Sequence, residues 1–166
     1  MSGLGWNIIS ALVENKPGVL FRVSNMFRAR GFNIESLSVG PTEQNDLSRI
    51  TITINGDEHT VEQLVKQLMK LIDVVNVERL PLDNSVYREL ALIKLRVEDP
   101  TTRLEIMNLV NVFRGKVVDI SKRSIMIEIT GTPDKIDAFK SLVEHYGIIQ
   151  LARTGACALP RGVIYE

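Results

Sequence analysis

The stretch of this chain best equipped to hold a small charged molecule is Asn15-Lys16-Pro17-Gly18, where an apolar run gives way to a helical pattern. A helix that starts there presents unpaired backbone N–H groups, which attract a carboxylate, and a glycine lets a ligand approach the backbone closely. Asn15 offers an amide oxygen to an ammonium and an amide nitrogen to a carboxylate, the pairing an amino acid requires. The same residue types make up any tight strand-to-helix turn, so the plain turn reading stands beside the ligand reading.

Other groups with chemical potential are isolated. His59 and His145 have no cysteine or spaced carboxylates in their neighbourhood, which favours surface or capping roles over a metal or acid–base site. Cys157 lies in the small-residue run Thr154-Gly155-Ala156-Cys157-Ala158 with no histidine near it in sequence, the setting of a free thiol rather than a nucleophile. Neither a phosphate-binding Gly-Lys-Ser/Thr loop nor a dinucleotide fingerprint is present. Arg22, Arg28 and Arg30 read as a solvated helix face, with charges that suit the helix end. The pattern is that of a binding module.

The elements that must position the Asn15–Gly18 turn follow a repeated order. Trp6 to Val13 reads as a strand, and Leu20, Val23 and Phe27, with Val19 beside them, read as a helix ended by Gly31. Asn33 to Val39 is a second strand. Ile50, Ile52 and Ile54 alternate with polar residues in a third, closed by Asn55-Gly56-Asp57. Val61, Leu64, Val65, Leu68, Leu71 and Ile72 mark the inner face of a second helix, and Val74 to Leu80 a fourth strand.

The second half repeats this. Leu90 to Val97 is a strand, and Ile106, Leu109, Val110 and Phe113 mark a helix that stops at Gly115. Lys116 to Ile120 and Ser124 to Thr130 form a strand pair. Ile136, Phe139, Leu142 and Val143 line a last helix, and Ile148 to Leu151 is a final strand. Ile125, Ile127 and Ile129 lie 75 positions beyond Ile50, Ile52 and Ile54. The fold class is therefore α+β, with two ferredoxin-like βαββαβ domains at 1–80 and 87–166 and a linker at 81–86. Helices on one sheet face leave the other face wet or available to a partner. Edge strands need pairing or protection, so a dimer is expected.

Composition agrees with a globular binding protein. The chain has 166 residues, 45% hydrophobic and 24% charged, enough to bury a core without staples. Its single cysteine cannot close an internal disulfide. Twenty basic residues balance twenty acidic ones and only 5% are aromatic, which argues against nucleic-acid binding. The start, Met1 to Trp6, lacks a basic leader and a long apolar stretch, and no apolar run approaches the roughly 20 residues of a membrane span. The expected location is the cytoplasm.

Glu14-Asn15-Lys16-Pro17-Gly18-Val19-Leu20, with Arg22-Val23 and Arg30-Gly31-Phe32-Asn33-Ile34-Glu35-Ser36-Leu37, resembles the small regulatory subunit of acetolactate synthase, also called acetohydroxyacid synthase. The likeness continues through Leu47-Ser48-Arg49-Ile50-Thr51-Ile52, Arg88-Glu89-Leu90-Ala91-Leu92-Ile93-Lys94, Phe113-Arg114-Gly115-Lys116 and Ala152-Arg153-Thr154-Gly155. The first stretch alone indicates an ACT domain, a widespread amino-acid sensor; the rest narrows the family.

This resemblance implies an N-terminal ACT domain, a ferredoxin-like C-terminal domain, and a homodimer that joins a catalytic large subunit. That partner carries thiamine diphosphate, Mg2+ and FAD and condenses two pyruvates, or pyruvate with 2-oxobutyrate, for branched-chain amino-acid synthesis. The small subunit binds no cofactor of its own. It activates the partner and confers feedback inhibition by valine, with leucine or isoleucine as alternative effectors. The implied valine site takes Asn15, Gly18, Val19 and Leu20 from one protomer and Asn33 and Ile34 from the other. The alternatives are a stand-alone ACT-domain sensor of another enzyme or of transcription, and an independent small enzyme, which would need an essential His or Cys.

Overall fold

The computed structural model describes residues 5–162. Met1–Leu4, part of the start read for a leader, and Val163–Glu166 lie outside them. The described chain forms two compact units, 5–86 together with 155–162, and 87–154.

In the first unit β1 (Gly5–Glu14), α1 (Val19–Arg30), β2 (Ile34–Pro41), β3 (Leu47–Gly56), α2 (Glu58–Leu68) and β4 (Val74–Leu80) follow in order. The antiparallel sheet has the spatial order β2-β3-β1-β4, with both helices packed on one face. Alternation explains the core. Ile9, Ala11 and Val13 of β1 and Ile50, Ile52 and Ile54 of β3 point to the helices and meet Val19, Val23, Phe27, Val61, Leu64 and Leu68. α1 stops because Gly31 takes a left-handed conformation (φ 69°), and its N–H caps the carbonyls of Phe27 and Arg28.

The second unit repeats the order. After a short 3-10 turn at Leu82–Asn84 come β5 (Ser85–Arg96), α3 (Pro100–Val112), β6 (Lys116–Ile120), β7 (Ser124–Gly131), α4 (Pro133–Val143) and β8 (Ile148–Arg153). The strands are ordered β6-β7-β5-β8, the same as in the first sheet, and Ile125, Ile127 and Ile129 occupy the positions of the earlier isoleucine triplet. Phe113 and Phe139 meet edge to face in this core, ring centroids 5.3 Å apart. Each half is therefore the βαββαβ unit expected from the alternation.

Two helix faces differ from expectation. α2 ends at Leu68 and its last turn tightens, Lys70 and Leu71 donating to the carbonyls of Gln67 and Leu68. Ile72 consequently faces solvent at 91% exposure instead of lining the inner face. Leu142 is 47% exposed: relative to Ile136 it lies about 120° round the helix, while Phe139 and Val143 stay on the inner arc.

The tail also adds a strand. β9 (Cys157–Pro160) pairs along β5, and the Arg161 N–H donates to the Asn84 carbonyl at 2.8 Å. Ala156, just ahead of β9, and Ala158 within it are buried. Gly155 sits so close to β2 that a Cβ there would lie 2.9 Å from the backbone C and O of Leu37. Cys157, Ala158 and Leu159 line a cleft with Arg49 and Thr51 on the outward face of the first sheet, so the chain's own tail lines part of that face. Among the described residues no helix is long and apolar enough to cross a membrane.

Candidate functional site

β1 delivers the chain to the Asn15–Gly18 turn and α1 carries it away. The turn is held by backbone bonds: Glu14 N–H donates to the Asp73 carbonyl (2.9 Å), Asn15 N–H to the Asp46 carbonyl (2.8 Å) and Lys16 N–H to the Glu14 carbonyl (3.0 Å). Gly18 adopts φ 86°, a left-handed conformation that an L side chain resists, and no side chain caps the helix that begins after it. Its first turn is therefore electropositive and lacks acidic residues. Lys16 pairs with Glu14 at 2.8 Å, and hydrogen bonding to that carboxylate raises the ammonium pKa.

The expected ligand residues are placed unequally. Asn15, Gly18 and Leu20 are exposed, whereas Val19 is only 4% exposed and contributes its side chain to the core. Val19 offers a ligand no side chain, and its N–H donates to the Lys16 carbonyl at 3.4 Å. Asn33 is exposed just ahead of β2, and Ile34 is half-buried against the first core. Asn33 borders a cavity of about 410 Å³ shared with Arg30, His59, Gln63 and Gln67.

One chain does not bring the two groups together. Ile34 lies opposite Ile54, and Ile54 opposite Asn7, seven residues along β1 from Glu14. The two groups stand at opposite ends of the sheet, about 24 Å apart along the strand direction at the usual strand rise.

Sequence patterns missed one pair. Arg22, read as part of a solvated face, forms an ion pair through Nε with the carboxylate of Asp73, which is buried just ahead of β4. That bond raises the guanidinium pKa further above its ordinary value. The partners lie 51 residues apart, beyond any local pattern; the only signal was an acid wedged between apolar residues before a strand. The second unit has a counterpart in buried Glu89, which accepts from Arg153 Nε at 2.6 Å.

The remaining candidates are scattered. His59 is exposed on the first turn of α2, His145 stacks on Tyr146 with centroids 3.9 Å apart, and Cys157 is exposed on β9. Among the described residues no three His, Cys, Asp or Glu side chains converge as metal ligands would.

Comparison with known proteins fits this arrangement. Residues 9–76 match the family model described as the AHAS small subunit-like ACT domain, and residues 88–162 match the small subunit of acetolactate synthase. The chain is 54% identical over 154 residues to the "Probable acetolactate synthase small subunit" of Archaeoglobus fulgidus, covering 93% of this chain and 96% of that one. It is 52% identical over 161 residues to the acetolactate synthase small subunit of Mycolicibacterium smegmatis, covering 97% and 94%. The crystal structure of the acetolactate synthase small subunit from Thermotoga maritima superposes with a TM-score of 0.89 at 43% identity, covering 96% of this chain and 99% of that one. Two ferredoxin-like units in this order, with matches along both, place the chain in the acetolactate synthase small-subunit family, with a regulatory role.

Proposed function

We propose that this chain senses L-valine for acetolactate synthase, raising the activity of a catalytic large subunit and conveying feedback inhibition to it. Thiamine diphosphate, magnesium and FAD chemistry belongs in this reading to the large subunit, and the small subunit works beside it in the cytoplasm. Two sequence domains, 1–80 and 87–166 joined at 81–86, divide the work, the first binding the effector, although residues 155–162 of the second belong structurally to the first unit.

The observation that carries the reading is the separation of the two halves of the effector site at opposite ends of one sheet whose edge strand is β2. Two β2 strands paired antiparallel about a two-fold axis would set Asn33 and Ile34 of one protomer beside the turn-bearing end of the other. A single amino acid then touches both chains. Its carboxylate faces the helix N-terminus at Gly18, its polar ends meet Asn15 and Asn33, and its side chain lies against Leu20 and Ile34. Binding and dimerisation become thermodynamically linked, each strengthening the other.

The test is a calorimetric titration of the full chain with L-valine, with D-valine and L-serine as controls, repeated at several protein concentrations. Saturable heat from L-valine alone, with affinity rising with the dimer fraction, is the expected outcome. Absence of heat both in the isolated chain and after reconstitution with the large subunit would refute the sensor reading.

A further inference from the structure

Asp73 touches both ends of the effector turn. Its backbone carbonyl accepts the N–H of Glu14, where β1 enters the turn, and its carboxylate accepts Nε of Arg22, one turn into α1. Arg22 closes the ring on the other side: its N–H donates to the Gly18 carbonyl at 3.1 Å, and Nη1 lies 3.4 Å from where a Gly18 Cβ would stand. Asp73 is 9% exposed at its side chain and Arg22 46%, so a fixed carboxylate orients a guanidinium that still reaches the surface. A carboxylate so enclosed requires its partner, and the planar guanidinium fixes direction as well as charge.

The side chains proposed to meet the amino acid lack such support of their own. Asn15 and Leu20 are exposed, and no side chain caps the helix. Their positions depend on where the turn is held. Binding sites gain affinity when the neighbouring structure fixes the contacting groups in advance, because a mobile loop must be ordered by the ligand.

We infer that Arg22 and Asp73 are positioning residues for the effector turn, holding Asn15–Leu20 in the geometry that receives the amino acid; this rests on the sensor reading above. Neither needs to touch the ligand. Loss of the pair releases the turn from α1 while leaving the strands in place.

The experiment uses the full-length chain as wild type, Arg22→Gln, Arg22→Lys and Asp73→Asn. Amide hydrogen exchange is read without effector, and L-valine is then titrated. Arg22→Gln and Asp73→Asn are expected to speed exchange across residues 15–22 on the order of tenfold, with β3 keeping its wild-type protection. Arg22→Lys, which restores the charge but not the planar donor, should fall between. The Kd for L-valine should rise in the same order.

Unchanged exchange in the turn for Arg22→Gln overturns the inference. So does loss of protection that spreads through β3, or a loosened turn with wild-type valine affinity. Should Asp73→Asn fail to fold, the two variants at half-exposed Arg22 still decide. A wild-type chain that takes no valine either alone or reconstituted with the large subunit refutes the sensor reading instead, and the exchange result alone then settles the positioning role.

Discussion

Gly18 meets two demands at once. Its φ of 86° is costly for any L side chain, and an added Cβ would reach the Arg22 guanidinium at 3.4 Å. Gly18→Ala should therefore weaken the valine response through strain, and Gly18→Asp should abolish it, because a carboxylate would then fill and repel the effector's own. Asn15→Ala, which removes one amide partner of a charged group, should raise the valine concentration for half-inhibition by about tenfold. Inhibition curves of the reconstituted holoenzyme check all three; wild-type curves from Gly18→Asp and Asn15→Ala together would defeat the placement. Gly18 and Asn15 were legible because a turn announces itself in a few adjacent residues. Asp73 was not, because its meaning depends on an arginine 51 residues away.

Elements were legible wherever a period ran into a stop signal. The isoleucine triplets are the central strands of both sheets, and Gly31 ends α1. Between Leu68 and Val74 there is no glycine or proline, so the apolar spacing of Leu71 and Ile72 reads as more helix when the chain has already turned. The starts of α2 and α3 are alike: Asp57 accepts from Thr60 N–H and Asp99 from Thr102 N–H, each at 2.8 Å. The Thr60 hydroxyl and N–H hold the Asp57 carboxyl below its ordinary value, and the Thr102 N–H and hydroxyl do the same for Asp99. Folded-state values below the unfolded ones mean stabilisation that is complete above the ordinary aspartate pKa of about 3.9 and is lost as pH falls through the lowered values. Thermal melts from pH 6 to pH 2 should show this acid-side loss. The double variant Asp57→Asn/Asp99→Asn should show a smaller one, and equal slopes would remove the caps as its cause.

At the scale of the whole chain, the first unit is built from sequence that is not continuous, since residues 155–162 group with 5–86. The small residues of the tail are fitted to that role. Gly155→Ala would drive a methyl into the Leu37 backbone, at an expected cost of about 1–3 kcal/mol. Trp6, the only tryptophan, lies on β1, so its fluorescence during urea unfolding follows the first unit. A lowered midpoint in Gly155→Ala is expected, and an unchanged midpoint would show that the tail adapts freely. Sequence periodicity did not foresee this return, because four strand residues without a long alternation give no signal of which sheet they will join.

The discontinuity also orders events on the ribosome. Residues 5–86 are translated before 87–154, and the segment that lines the outward face of the first sheet emerges last. At ordinary translation rates the wait is roughly 3 to 14 s, long compared with the folding of a small domain. During that interval Arg49 and Thr51 lack the lining that Cys157, Ala158 and Leu159 supply in the finished chain. A nascent chain stalled before residue 155 would lack the strip that lines Arg49 and Thr51 in the released protein, so part of its outward sheet face would stay open to solvent.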